Sequence, residues 1–241
     1  MSAGAGNWSL QALMLQRVAA ALGPELLEQV AFVGGCTTGL LITDPVSREA
    51  VRYTDDVDLI VHVVGPGNWY RLQQDLAGRG FRTSPEDDVI CRTRLRDGGG
   101  PDLIVDFMPD DAAILGFSNR WYADALREAV DHVLPGGTVI RVVSPAHFLG
   151  TKLEAYRGRG GNDPLASRDV EDILNVVDGR DSLADEVAAA AAPLRADIAT
   201  GIAGLLRHRD FDYAVQAAAR NNRQREELIF RRLESIAEFN E

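Results

Sequence analysis

The sequence changes character near residue 144, and this change constrains the fold more than any other feature. Before it, short runs rich in β-branched residues alternate with helical patterns, as in "VDLIVHVV" at 57–64 and "GTVIRVV" at 137–143. After it, nearly every segment has helical periodicity, including the alanine-rich stretch "ADEVAAAAAPLRADIA". We therefore predict an α/β domain at 1–143 and a helical domain at 144–241.

Composition limits the class of protein. The 241 residues are 46% hydrophobic and 25% charged, which is ordinary for a soluble globular chain. No apolar run approaches the roughly 20 residues that span a bilayer, and the N-terminus lacks the pattern of a secretory signal. The two cysteines, Cys36 and Cys91, form no metal-ligand motif. We expect a cytoplasmic protein without a membrane partner.

The net charge of -11 disfavours broad, nonspecific binding of nucleic acid, which relies on Lys and Arg. It is compatible with a local basic groove. The clustered arginines are interpreted as solvated surface, both the alternating set Arg92, Arg94 and Arg96 and the group near the C-terminus.

The stretch "FVGGCTTGLL" at 32–41 predicts a buried strand that stops at Gly34 and Gly35 and continues as a short helix. Two glycines suit an ordinary strand-to-helix turn. They also allow backbone N–H groups at the start of a helix to approach a phosphate. In that case Thr37 or Thr38 would add a hydroxyl contact.

Two aspartates open the next strand, in "RYTDDVDLIV". Side chains alternate along a strand, so Asp56 and Asp58 lie on the same face and repel each other. A divalent cation such as Mg²⁺, which binds carboxylate and phosphate oxygens, would offset that repulsion. The alternative is structural, with Asp55 and Asp56 forming a turn and Asp58 acting as a cap or pairing with an arginine.

A third aspartate lies inside the apolar run "DLIVDFM" and needs a partner there. If this strand pairs with the first, Asp106 joins Asp56 and Asp58 in the arrangement of a two-metal site for phosphoryl or nucleotidyl transfer. Asp106 would then help to accept the proton of the attacking hydroxyl.

At these residues the sequence resembles the DNA polymerase β-like nucleotidyltransferase superfamily, and within it the AbiEii-type abortive-infection toxins. The resemblance is carried by the glycine pair and by the motif of Thr54, Asp56, Val57 and Asp58. It implies an α+β fold, a mixed sheet with flanking helices, and a helical domain that completes the site. It also implies Mg²⁺ or Mn²⁺ on the three aspartates and an NTP as substrate. The residues expected to contact the nucleotide are Gly34, Gly35, Thr37 and Thr54.

The later stretch "KLEAYRGRGGNDPLASRDVEDILNVV" is similar to a second motif of this family. The resemblance implies that Lys152 is a catalytic residue that contacts the phosphates, followed by Arg157, and that Asp169 positions the lysine with Asp172 nearby. Without the family, Lys152 would be a solvated lysine on an amphipathic helix. The two aspartates would face solvent or pair with Arg157 or Arg168.

The predicted function is transfer of a nucleoside monophosphate to an acceptor hydroxyl, with release of pyrophosphate. A toxin-like role, tRNA as acceptor and a cognate antitoxin are implied by the resemblance alone. A small-molecule transferase of the aminoglycoside type is an alternative that suits the acidic chain. A second alternative is a nucleotide- or partner-binding module without catalysis. The polar insert "TDPVSREAVRY" at 43–53 departs from the family pattern and is predicted to be a loop.

Overall fold

The protein is described by a computed structural model for residues 7–87, 89–159 and 163–240. The chain divides into two compact units. The first, called the sheet unit, comprises the chain as far as Thr37 together with Arg52–Ser144. The second, called the helical unit, comprises Thr38–Val51 and the chain from Pro145 onward. The sequence-based division at 143/144 had assigned residues 38–51 to the first domain, whereas the structure groups them with the helices.

Strands and helices are numbered along the chain. The strands are β1 (Val30–Val33), β2 (Asp56–Val61), β3 (Phe81–Arg82), β4 (Arg92–Leu95), β5 (Leu103–Pro109), β6 (Val130–Val133) and β7 (Val139–Val142). The helices are α1 (Asn7–Leu27), α2 (Thr38–Leu41), α3 (Pro45–Glu49), α4 (Gly65–Gly78), α5 (Ala112–Leu115), α6 (Tyr122–Arg127), α7 (Pro145–Gly158), α8 (Arg168–Gly179), α9 (Leu183–Ala189), α10 (Ala192–Leu206), α11 (Phe211–Ala218) and α12 (Arg223–Ala237).

Over the described residues, the sheet unit contains one seven-stranded sheet of order β3-β4-β5-β2-β1-β7-β6. Two pairs, β2 with β5 and β1 with β7, are parallel, and the remaining pairs are antiparallel. The predicted mixed sheet is therefore confirmed. The interior strand β1 is buried throughout because its four residues, "VAFV", are all apolar.

The helical unit has its own apolar core. Helix α10 packs against α7 and α12, and α7 packs against α8. Its largest fully buried side chains include Phe148 and Phe211, and the apolar positions of α8 follow helical spacing at Val170, Ile173 and Val177. None of the described helices is long and apolar enough to cross a membrane.

The insert at 43–53 was predicted to be a loop. That prediction is wrong in part, because the insert contains the short helix α3. Asp44 caps this helix by accepting a hydrogen bond from the Ser47 N–H at 2.9 Å, and Pro45 occupies the first turn. The carbonyl of Gly179, at the end of α8, accepts hydrogen bonds from the N–H groups of Thr43 and Asp44, both at 2.9 Å. These contacts fasten the segment 38–51 to α8.

We predict that Gly179→Ala destabilises the helical unit by about 1–3 kcal/mol, because the position is overpacked. A β-carbon on Gly179 would lie 2.6 Å from Ile42 Cγ2 and 2.9 Å from Ser47 Cβ. The matched control is Gly204→Ala in α10, where a β-carbon meets nothing within 4 Å. That control should stabilise by roughly 0.5–1 kcal/mol through helix propensity. Urea denaturation measures both, and equal effects would contradict the packing argument.

Candidate functional site

Three carboxylates share one face of the sheet. Strands β2 and β5 pair in parallel with Asp58 directly opposite Asp106, and Asp56 is opposite Ile104. Because Asp56 and Asp58 are two residues apart, both point to the face on which Asp106 lies. The condition on which the three-carboxylate prediction depended, pairing of the two aspartate-bearing strands, is therefore met.

The first glycine of the turn makes room for Asp58. On the other side of β2, Asp58 is opposite Val33, the residue before Gly34. Gly34 has φ of 80°, which disfavours any side chain, and a β-carbon there would overlap the Asp58 carboxylate. Gly35 is buried and begins a short 3₁₀ helix that ends at Thr37. Close approach of a backbone to a side chain thus explains the requirement for Gly34.

Two threonines form local hydrogen bonds in this region. The Thr37 hydroxyl donates to the Gly34 carbonyl at 2.9 Å, and the Thr37 N–H donates to the same oxygen at 3.1 Å. The turn is closed by these bonds. The buried Thr54 hydroxyl donates to the Asp56 carboxylate, which fixes the orientation of that carboxylate.

Arg92 is the partner of the third carboxylate. It lies opposite Asp106 on β4; its Nε donates to Oδ1 at 3.0 Å and its Nη2 donates to Oδ2 at 2.8 Å. The hydrogen bonds that Arg92 donates to Asp106 raise the pKa of the Arg92 guanidinium above its ordinary value, and the charge of Asp56 adds to the effect. The interpretation of Arg92 as solvated surface is wrong, because its side chain is half-buried in this ion pair.

The charges of these carboxylates also act on the neighbouring Cys91 thiol. The thiol of Cys91 has its pKa raised to about 11, first by burial and then by the charge of Asp106, with a smaller contribution from Asp58. Cys91 is thus a neutral, inert thiol at physiological pH.

The donor chemistry of the three carboxylates fits a hard divalent cation, which binds oxygen ligands. Asp106 fits least well, because Arg92 holds both of its oxygens, although each carboxylate oxygen keeps a second acceptor position. Across residues 7–87, 89–159 and 163–240, no three His, Cys, Asp or Glu side chains are arranged to hold a metal ion. A bound cation would therefore need Asp56, Asp58 and substrate oxygens to complete its coordination.

The lysine of the second motif is buried within the helical unit. Lys152 Nζ donates to Asp172 Oδ2 at 2.6 Å and to Asp169 Oδ1 at 3.2 Å. All three residues are less than 10% exposed. The alternatives of a solvated lysine and of solvent-facing aspartates are wrong. The expected contact between the lysine and the downstream aspartates is present.

The arginine that joins this cluster is Arg159, a residue that the sequence did not single out. Its Nη1 donates to Asp169 Oδ2 at 2.8 Å. Arg157, which the family motif indicated, instead forms a two-pronged ion pair with Asp197 at 2.9 and 3.0 Å. The only sequence signal for Arg159 is its spacing, seven residues or two helical turns after Lys152.

Comparison of the sequence with protein-family models gives no match, and comparison with curated proteins gives none. The resemblance to the nucleotidyltransferases therefore remains a prediction, carried by the residues described above.

We predict that Gly34→Ala destabilises the protein more than Gly65→Ala does. Both glycines have φ near 80°, so alanine costs about 1–2 kcal/mol at either position. Only Gly34 faces Asp58; a β-carbon on Gly65 meets nothing within 4 Å. The overlap should add about 1–3 kcal/mol, measurable by urea denaturation. Equal destabilisation by the two variants would show that Asp58 does not require the glycine.

We also predict that Lys152→Met destabilises the helical unit by about 3–5 kcal/mol, since two buried carboxylates lose their shared cation. Adding Asp172→Asn should recover part of the loss, because it removes the buried negative charge that the Lys152 ammonium contacts at 2.6 Å. Arg157→Met is the control, because it breaks a partly exposed pair that contributes at most about 1 kcal/mol. Chemical denaturation compares the three proteins, and a similar loss in Lys152→Met and Arg157→Met would argue against a buried charge cluster.

Proposed function

We propose that the protein is a metal-dependent nucleotidyltransferase that transfers a nucleoside monophosphate from an NTP to an acceptor hydroxyl and releases pyrophosphate. One observation carries this proposal: Asp58 and Asp106 face each other across paired strands, with Asp56 on the same face. Three carboxylates so close together repel, and a site that binds cationic metal and phosphate oxygens gives that arrangement a chemical use.

The chain's own residues have distinct roles under this proposal. Asp56 and Asp58 hold the cation, with Asp106 as a further ligand, and the cation supplies positive charge beside the triphosphate. Thr54 orients Asp56, and Arg92 orients Asp106, each through the hydrogen bonds described above. The Lys152 ammonium stabilises negative charge that develops on the leaving pyrophosphate, a role that rests on the family resemblance.

A pocket of about 300 Å³ in the helical unit supports a role for this region in binding an anion. It is lined by residues that include Arg159, Arg168 and Asp169, so it lies beside the carboxylate that Lys152 contacts. Arg168 is exposed, and among the described residues its guanidinium has no ion-pair partner. Asp163 also lines the pocket, so the formal charges of its two arginines and two aspartates cancel, and the exposed Arg168 guanidinium is the group that an anion would meet.

The acceptor is proposed to be tRNA, with a toxin-like role and a cognate antitoxin, on the resemblance alone. A small-molecule acceptor of the aminoglycoside type is the second candidate, because a chain of net charge -11 attracts cations and repels polyanions. Incubation with an NTP labelled in its α-phosphate separates them. The label passes to tRNA in the first case and to the aminoglycoside in the second.

We predict that Asp58→Asn lowers pyrophosphate release at least about a hundredfold in the presence of Mg²⁺, because it removes a charge from the reacting site. Asp55→Asn, the adjacent and exposed aspartate, is the matched control and should retain activity. A coupled pyrophosphate assay measures both variants. If they are equally active, the carboxylate site is not catalytic; if wild type is inactive with every NTP and both acceptors, the binding-module alternative is favoured.

A further inference from the structure

A second cavity lies within the helical unit, between α8 and α11. Its volume of about 370 Å³ is in the range of small-molecule binding sites. Helix α11 contributes three alanines at helical spacing, Ala214, Ala217 and Ala218, and α8 contributes the buried Leu174. Because the alanine side chains are only methyl groups, they leave a space beside α8. We call this space the α8–α11 pocket, and these residues give it an apolar floor.

An arginine lies at one end of the α8–α11 pocket. Arg220 lines it, and Nη2 of Arg220 donates a hydrogen bond at 3.1 Å to the carbonyl of Ala50, which is another lining residue. Within residues 7–87, 89–159 and 163–240, Arg220 has no ion-pair partner. A guanidinium has five N–H donors, so Arg220 has enough donors left to bind both oxygens of a carboxylate.

The backbone of Arg220 has a conformation that arginine rarely adopts. Its φ is 53°, in the left-handed region. The N–H of Arg220 donates to the Ala217 carbonyl at 3.0 Å, and the N–H of Asn221 donates to the Gln216 carbonyl at 3.1 Å. Glycine is the usual residue at this position of such a helix end, because a β-carbon destabilises the left-handed conformation. An arginine here costs stability, which indicates a functional use for its side chain.

Two polar residues of α8 line the same pocket. Glu171 and Asn175 are one helical turn apart, and they share a face of α8 with Leu174. Glu171 is exposed to solvent. The side-chain amide of Asn175 makes no hydrogen bond in the part of the chain that the structure describes. Of the described lining residues, only Glu171 and Arg220 carry a charge, so the pocket has one negative and one positive group.

These groups are complementary to a zwitterion. A ligand carboxylate would pair with the Arg220 guanidinium and accept a further hydrogen bond from the Asn175 amide, while a ligand ammonium would pair with Glu171. A short aliphatic chain between the two charges would pack on the alanines. A ligand without net charge is also not repelled by a chain whose net charge is -11.

We propose that the α8–α11 pocket binds a small aliphatic amino acid as a zwitterion. The carboxylate of the amino acid pairs with Arg220, and its ammonium pairs with Glu171. This site shares no lining residue with the cavity beside Asp169 and does not depend on the proposed nucleotidyl transfer.

The requirement for both charges is tested by isothermal titration calorimetry of the full-length protein. The amino-acid probes are L-alanine, β-alanine, 4-aminobutyrate and 5-aminovalerate, which differ in the separation of their two charges. The singly charged probes are butyrate and butylamine. The tightest amino acid should bind at least about tenfold more tightly than either singly charged probe. The proposal is overturned if no amino acid binds, or if butyrate or butylamine binds as tightly as the best of them.

The two charged residues are tested separately. Glu171→Gln should weaken binding of the tightest amino acid by about tenfold and leave butyrate binding nearly unchanged. Its matched control is Asp212→Asn, since Asp212 is an exposed carboxylate on α11 that lies outside the pocket.

Arg220→Gly should weaken amino-acid binding by about tenfold or more, while the urea midpoint stays the same or rises because glycine suits a φ of 53°. Its matched control is Asn221→Gly, at the next residue, which has φ of 57° and lies outside the pocket. That control should bind as wild type does. Equal binding by either pocket variant and its control would contradict the proposal.

Discussion

Asp56, Asp58 and Asp106 repel one another, and the contacts around them in the sheet unit offset that repulsion or hold the carboxylates in place. Each carboxylate has a different neighbour. A guanidinium from β4 holds Asp106, a threonine hydroxyl holds Asp56, and the missing side chain of Gly34 leaves space for Asp58. Partly exposed ion pairs contribute little to folding free energy. The arrangement therefore specifies where the oxygens lie, more than it stabilises the sheet.

In the helical unit, the charged groups around Lys152 pair with one another, and most of them are buried. Lys152, Asp169 and Asp172 are withdrawn from water, and Arg159 reaches Asp169 from a largely exposed position. The four formal charges sum to zero, as a buried cluster requires if it is not to carry a large desolvation penalty. A neutral cluster with one exposed cation can meet an incoming anion through that cation. Lys152 itself cannot be released without breaking its hydrogen bonds to two buried carboxylates.

Local patterns in the sequence predicted β1, β2, β5 and β7, because each is a contiguous run of apolar, largely β-branched residues. They did not predict the strands β3 and β6. The convergence of the three aspartates was made conditional on the pairing of β2 with β5, and the structure contains that pairing. The ion-pair partner of Asp106, Arg92, was missed because it is 14 residues away and its position depends on the β4–β5 register. A second reason is that arginines at alternate positions of a strand are also typical of a face exposed to solvent. The short helix α3 was missed because five residues have weak helical propensity, and its stability comes from Asp44 and from Gly179.

The assignment of residues 38–51 to the helical unit has a topological consequence. The chain passes from one unit to the other three times, after Thr37, after Val51 and after Ser144. Neither unit is a continuous stretch, so no single cleavage of the backbone separates them. A fragment that starts at Pro145 would lack α2 and α3, along with the N–H donors that satisfy the Gly179 carbonyl. The same holds for evolution by gene fusion. A fusion at the single junction after Ser144 would replace only the part of the helical unit that follows it, and would leave residues 38–51, which lie between the two segments of the sheet unit, unchanged.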